Sequence, residues 1–148
     1  MLKHIYNRLQ LLASSGTLNL ITGNKAQVQV LDEEVLNNIK RVTPFGFAHQ
    51  PKSGSQVYMM FPGGDRSFGI ALIVGDSRYQ IELAEGEVAL HDDKGNHVHL
   101  KQDGTIEIKA SAKVLADAPE FETTGNVTIG GNLLVNGDIT ATGTITGG

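Results

Sequence analysis

An all-β fold, with a small closed barrel towards the N-terminus and a threefold stalk of short stacked strands towards the C-terminus, is predicted by three features of this sequence. Between Thr17 and Gly86, short alternating or apolar segments are separated by Gly, Pro, Asp and Asn, the usual marks of brief strands and turns. From Gly86 onward, strand-like segments open at glycines: GEVALHDDK at Gly86, GNHVHLKQD at Gly95 and GTIEIKASA at Gly104. The end of the chain, GNVTIGGNLLVNGDITATGTITGG, divides into four hexads opened by Gly125, Gly131, Gly137 and Gly143.

The N-terminal MLKHIYNRLQLLA places Leu2, Ile5, Tyr6, Leu9 and Leu12 at helical spacing, which predicts a short amphipathic helix within residues 1–15. Lys3, His4, Asn7, Arg8 and Gln10 interrupt any apolar run, so the segment does not read as a signal peptide. Nowhere does the sequence contain an apolar stretch long enough to span a bilayer as a helix.

After SSG come TLNLIT, KAQVQVLD, VLNNIKRVTPFGF, QVYMMFPGG, SFGIALIVGD and RYQIELAEG. The alternation in AQVQV puts Ala26, Val28 and Val30 on one face. Five or six antiparallel strands in so short a span predict a closed barrel of the OB type over residues 16–85.

A boundary near Ala84 to Gly86 follows from composition. Of 5 Phe and 3 Tyr, only Phe121 lies beyond Tyr79, and the remainder of the chain is rich in Gly, Thr, Asn and aliphatics. Residues 86–148 therefore read as the stalk. Its inward pairs are Val88 and Leu90, Val98 and Leu100, and Ile106 and Ile108, followed in the hexads by Val127, Ile129, Leu133, Val135, Ile139 and Ile145. The third and fifth places of a hexad share one face of an extended strand, so these residues form a stripe that one copy is too thin to bury. Three copies around an axis would bury it, which predicts a homotrimer. The glycines at 86, 95, 104, 125, 131, 137 and 143 are assigned to the repeat turns. About ten strands at roughly 4.8 Å spacing would give a stalk on the order of 50 Å long.

Composition narrows the function classes. A net charge of -4 and a pI near 5.7 argue against a nucleic-acid partner. The absence of cysteine removes disulfides, thiolate metal sites and cysteine nucleophiles. His97 and His99 are two apart on a strand and could form a metal clip, but Val98 and Leu100 belong to the inward stripe, so the histidines are assigned to the solvated face and to no metal. FPGGDRSFG, residues 61–69, lacks the ending of a phosphate loop and is assigned to a barrel hairpin with Asp65 and Arg66 at its tip. His4, His49 and His91 have no partner at motif-like spacing, Asp32-Glu33-Glu34 and Asp92-Asp93 read as solvated turns, and no catalytic or cofactor-binding residue is assigned. Two rival readings are a hexapeptide-repeat acyltransferase, with which Thr128, Leu134, Thr140 and Thr146 disagree by standing where that repeat has Gly, and an OB-fold nucleic-acid binder, disfavoured by acidity.

Residues 42–100 carry a resemblance. The P-F-G-F…P-x-x-G-x-x-V, F-P-G-G-D-R, D-S-R-Y and G-E-V-A-L-x-D-x-x-G elements occur in the order found in the baseplate assembly protein V, or central spike, family of Mu-like contractile-tailed bacteriophages. The resemblance implies a homotrimer in the virion, at the distal end of the tail baseplate, whose OB-fold collar joins the baseplate hub protein and whose β-helical needle pierces the host outer membrane as the sheath contracts. It also implies a C-terminal apex in which a His-x-His from each of three chains holds iron. The last histidine here is His99, so no metal ligand is carried over, and an iron-binding apex is expected beyond residue 148 or on a separate protein.

Overall fold

The computed structural model describes residues 12–31 and 34–147, together with Lys3, Ile5 and Leu9. It divides into two compact units, Met1–Ser111 and Ala112–Gly148. Most of the expected N-terminal helix lies outside the described residues; Lys3, Ile5 and Leu9 have helical backbone.

Five strands form the closed barrel: β1 (Ala13–Thr22), β2 (Lys25–Gln29), β3 (Val35–Arg41), β4 (Gln56–Met60) and β5 (Ile70–Gly75). Their order around the barrel is β1-β2-β3-β5-β4, closed by antiparallel pairing of β1 with β4 and consistent with an OB-type barrel. The pairing is not wholly antiparallel as expected: β3 runs parallel to β5, with Lys40 opposite Ile70 and Arg41 opposite Ala71. That parallel contact follows from the long connection over residues 42–55, which leaves β3 to join β5 after β4 has been added on the far side.

β1 begins at Ala13, inside the stretch assigned to the helix, and SSG is part of the strand rather than a break. Gly16 is what lets it pair on both sides. A Cβ there would lie 2.4 Å from the Gln29 carbonyl oxygen and 2.7 Å from Val28 Cγ1, so only a residue without one admits β2 at this distance. RYQIELAEG forms no strand: Ser77–Tyr79 make a 3-10 turn, and the chain then runs irregularly to β6.

The barrel interior contains Leu18, Ile21, Ala26, Val28, Ile39, Val57, Met59, Phe61 and Ala71, with Val30, Leu36 and Val74 packed against them. The alternation of β2 thus buries Ala26 and Val28. A register shift between Leu18 and Leu20 turns Leu20 outward and brings Ile21 into the core, a one-residue phase change that strict alternation would not give.

Ser55 is buried, and its hydroxyl, with a single proton to donate, lies 2.7 Å from the Lys52 carbonyl oxygen and 3.2 Å from Asp76 Oδ2. Asp76 also accepts from Arg78 Nε at 2.7 Å, Arg78 Nη2 at 2.5 Å and the Arg78 backbone N–H at 3.1 Å. The Arg78 side chain is the main reason its carboxyl is lowered to about 2, with the backbone N–H and Ser55 adding to the effect. The folded value lies below that of an unfolded Asp, about 3.9, so this carboxylate's contribution to stability is complete above roughly pH 4 and is lost as the pH falls towards 2. Thermal melts between pH 7 and 2 are expected to show Asp76→Asn less stable than wild type at neutral pH, with the difference shrinking across that acidic window. A difference that stays constant would show that Asp76 ionisation is not coupled to folding.

Candidate trimer interface

Three further strands, β6 (Val88–His91), β7 (His97–Leu100) and β8 (Ile106–Lys109), form a separate antiparallel sheet in the first unit. Gly86, Gly95 and Gly104 have φ of +84°, +80° and +84°, so each of these repeat-turn glycines is left-handed, where a side chain is strained. Asp92 organises the β6–β7 turn by accepting from the N–H groups of Lys94 at 2.8 Å and Asn96 at 2.9 Å, and Asp103 does the same for the β7–β8 turn with the N–H of Thr105 at 2.8 Å. The solvated-turn reading of Asp92-Asp93 therefore has a mechanism, and Asp93 is paired with Lys52 of the barrel loop.

The turns fix the register, and the register assembles the face. Val88 stands opposite Leu100, which stands opposite Ile106; Leu90 stands opposite Val98, which stands opposite Ile108. Six aliphatic side chains thus form two rows across three strands. All six are exposed in the single chain, from 36% for Val98 to 64% for Ile106. The polar face is the better covered one, since Ala89, His97, His99 and Glu107 are intermediate in burial. A sheet that exposes every aliphatic residue and partly covers its histidines is inverted relative to a self-sufficient soluble sheet.

The second unit shows the same feature in its own terms. Bends recur at residues 124–125, 130–131, 136–137 and 142–143, a six-residue period that coincides with Gly125, Gly131, Gly137 and Gly143. These four glycines have no left-handed φ, and a Cβ on any of them would meet nothing within 4 Å. Every described residue of 112–147 is exposed, including Val127, Ile129, Leu133, Val135, Ile139 and Ile145, and none forms a strand ladder within the chain.

His97 and His99 lie on the face opposite Val98 and Leu100, with their rings edge to face at 6.1 Å. His99 Nε2 is 3.0 Å from Glu87 Oε2, a partner sequence reasoning missed, and Glu107 stands directly across from His99. The signal was available, because folding β7 onto β8 about Asp103 sets residue 99 opposite 107. Residues 61–69 connect the antiparallel β4 and β5 as a hairpin; Arg66 pairs with Glu34 at 2.7 Å and lies over the Phe61 ring, and Asp65 accepts from Ser67. Of the acidic trio, Asp32 and Glu33 are outside the described residues, as is His4. Burial and then the Arg41 guanidinium hold the His49 imidazole below its ordinary value.

Two family models match parts of the chain. Residues 22–78, which cover most of the barrel, match the N-terminal family of bacteriophage Mu Gp45, and residues 104–148, which contain β8 and all four hexads, match the phage spike trimer family. The first part thus resembles Gp45 of bacteriophage Mu, and the second resembles phage spike trimers. One similar protein is the baseplate puncturing device gp45 of Escherichia phage Mu, 29% identical over 141 residues, an alignment covering 87% of this chain and 72% of that protein.

Proposed function

We propose that the chain is the central spike of a contractile-tail baseplate and that it acts as a homotrimer. The observation that carries the reading is the inverted sheet. Six aligned aliphatic residues on β6–β8 face outward and need a partner surface, and the Phage spike trimer match covers the adjoining residues 104–148. Removing each aliphatic side chain from water contributes about 1.5–3 kcal/mol, so assembly of three such faces offsets what a single chain leaves exposed.

In this reading residues 13–85 are a collar joined to the hub and residues 86–148 are a β-helical stalk. The stripe from Val127 to Ile145 winds with its counterparts into a dry core, and the bends at the hexad glycines are the corners. Interchain ladders supply the strand pairing that residues 112–147 do not make within one chain. The role is structural: under axial load a ladder-bonded threefold needle moves as one body and transmits the sheath's force to the host outer membrane. The puncturing role and virion location follow the name of the phage Mu relative.

Sedimentation velocity on the purified chain tests this, because it reports mass and shape together. An elongated trimer is the expected result. A compact trimer would favour the hexapeptide-repeat reading, and a monomer at micromolar concentration would overturn the proposal.

A further inference from the structure

The polar face of the β6–β8 sheet holds a group of side chains that trimer assembly does not use. His97, His99 and Glu107 each present one ligand atom, and all three atoms lie within 4.8 Å of one another. Two imidazoles and a carboxylate are a donor set suited to a borderline divalent ion such as Zn2+, and three protein ligands leave a position for water. Around a zinc ion with bonds of about 2.0–2.2 Å, tetrahedral ligands sit about 3.4 Å apart. The side chains would have to close by roughly an ångström or so, within reach of ordinary rotamer adjustment.

The protonation pattern suits the same purpose. His97 Nδ1 lies 3.1 Å from the Gly95 carbonyl oxygen, so that nitrogen carries the proton and Nε2 keeps its lone pair. His99 Nε2 is 3.0 Å from Glu87 Oε2, which places its proton there and leaves Nδ1 as the lone-pair nitrogen. Each ring is therefore oriented through one nitrogen by an acceptor and has the other available, the arrangement in which an outer carbonyl or carboxylate supports a ligating histidine. Glu87 is itself held in place by the N–H groups of Ala84 and Gln102, which donate to its two carboxylate oxygens. The opposing element is Lys101, which pairs with Glu107 and must give way for the carboxylate to turn to a metal.

We infer that His97, His99 and Glu107 form a binding site for a divalent transition ion of the zinc class on the face of the sheet opposite the aliphatic rows. The ion would clip β7 to β8 along their paired length, where only short strands hold the sheet together. The site lies within one chain and does not depend on the spike reading.

The test uses the full, tag-free chain, stripped with EDTA and titrated with Zn2+ by calorimetry, with metal content measured after desalting. One Zn2+ per chain is expected, bound at least tenfold more weakly by His97→Ala and by Glu107→Gln. Lys101→Ala, which frees Glu107, is expected to bind severalfold more tightly, and His49→Ala to bind as wild type does. Glu107→Gln keeps the side chain's shape, and melts in EDTA report whether each variant is folded. Absence of saturable Zn2+ binding, or binding by a folded Glu107→Gln equal to wild type, would overturn the site.

Discussion

Replacing Leu100 with Asp is expected to abolish the trimer and leave a monomer that keeps its barrel. Leu100 is the centre of the row Val88–Leu100–Ile106, and the whole row is exposed in the single chain. In the assembled spike the change removes about 1.5–3 kcal/mol of apolar burial per chain. It also brings three carboxylates together in a water-poor interface, where each unpaired charge costs several kcal/mol. Threefold symmetry multiplies both terms, so the total penalty is on the order of 10 kcal/mol or more per trimer. None of the barrel's buried residues touches this calculation, since the core consists of β1–β5 side chains and Phe61. Sedimentation velocity should therefore give a monomer while the far-UV spectrum of the barrel persists. Leu100→Met, which keeps volume and polarity, should remain trimeric. Ile129→Asp probes the hexads separately and is expected to weaken assembly in the same way. If Leu100→Asp sedimented as a trimer with the melting temperature of wild type, the six-residue face would not be the interface.

The extent to which this architecture was legible in the sequence depends on how local each signal was. The turns of the small sheet were legible because Gly86, Gly95 and Gly104 mark left-handed positions and Asp92 and Asp103 fold onto their own backbone. Once the turns are placed, the register of Val88, Leu90, Val98, Leu100, Ile106 and Ile108 follows by counting. The buried pair Ala26 and Val28 was legible for the same reason, from alternation within one strand.

What sequence reading could not supply was set by contacts between distant segments. The parallel pairing of β3 with β5 depends on how residues 42–55 return, and the strand role of Ser14-Ser15-Gly16 depends on Gln29 closing against Gly16. Leu20 breaks the alternation because of a bulge that no local pattern marks. At the candidate metal site, the two histidines face away from the stripe, but on the better covered face of the sheet and not on the solvated face expected of them. Their significance changes only when Glu107 is brought across from the next strand and Glu87 from the preceding turn.

Phe61→Ala is expected to be the most damaging single change within the barrel. Its ring is the largest fully buried side chain, 1% exposed, and it is covered from outside by Arg66, whose guanidinium carbon is 5.8 Å from the ring centroid. Truncating a buried Phe costs about 3–5 kcal/mol through lost transfer energy and the cavity left behind, a large share of the 5–15 kcal/mol that holds a typical domain together. Gly69 offers a way to show that packing is the cause. A Cβ on Gly69 would lie 2.4 Å from Ile39 Cδ1 and 2.8 Å from Phe61 Cε1, so Gly69→Ala alone overpacks the core and is expected to cost about 1–3 kcal/mol. In the Phe61→Ala background the ring that the new methyl would strike is gone, and the methyl occupies part of the space it left. The double variant is therefore expected to be more stable than the two single changes predict by addition, with a coupling of about 1 kcal/mol or more. Denaturant melts of the four proteins give the coupling directly. Simple additivity would mean that Gly69 and Phe61 do not share the contact, and that the need for glycine at position 69 arises from Ile39 alone.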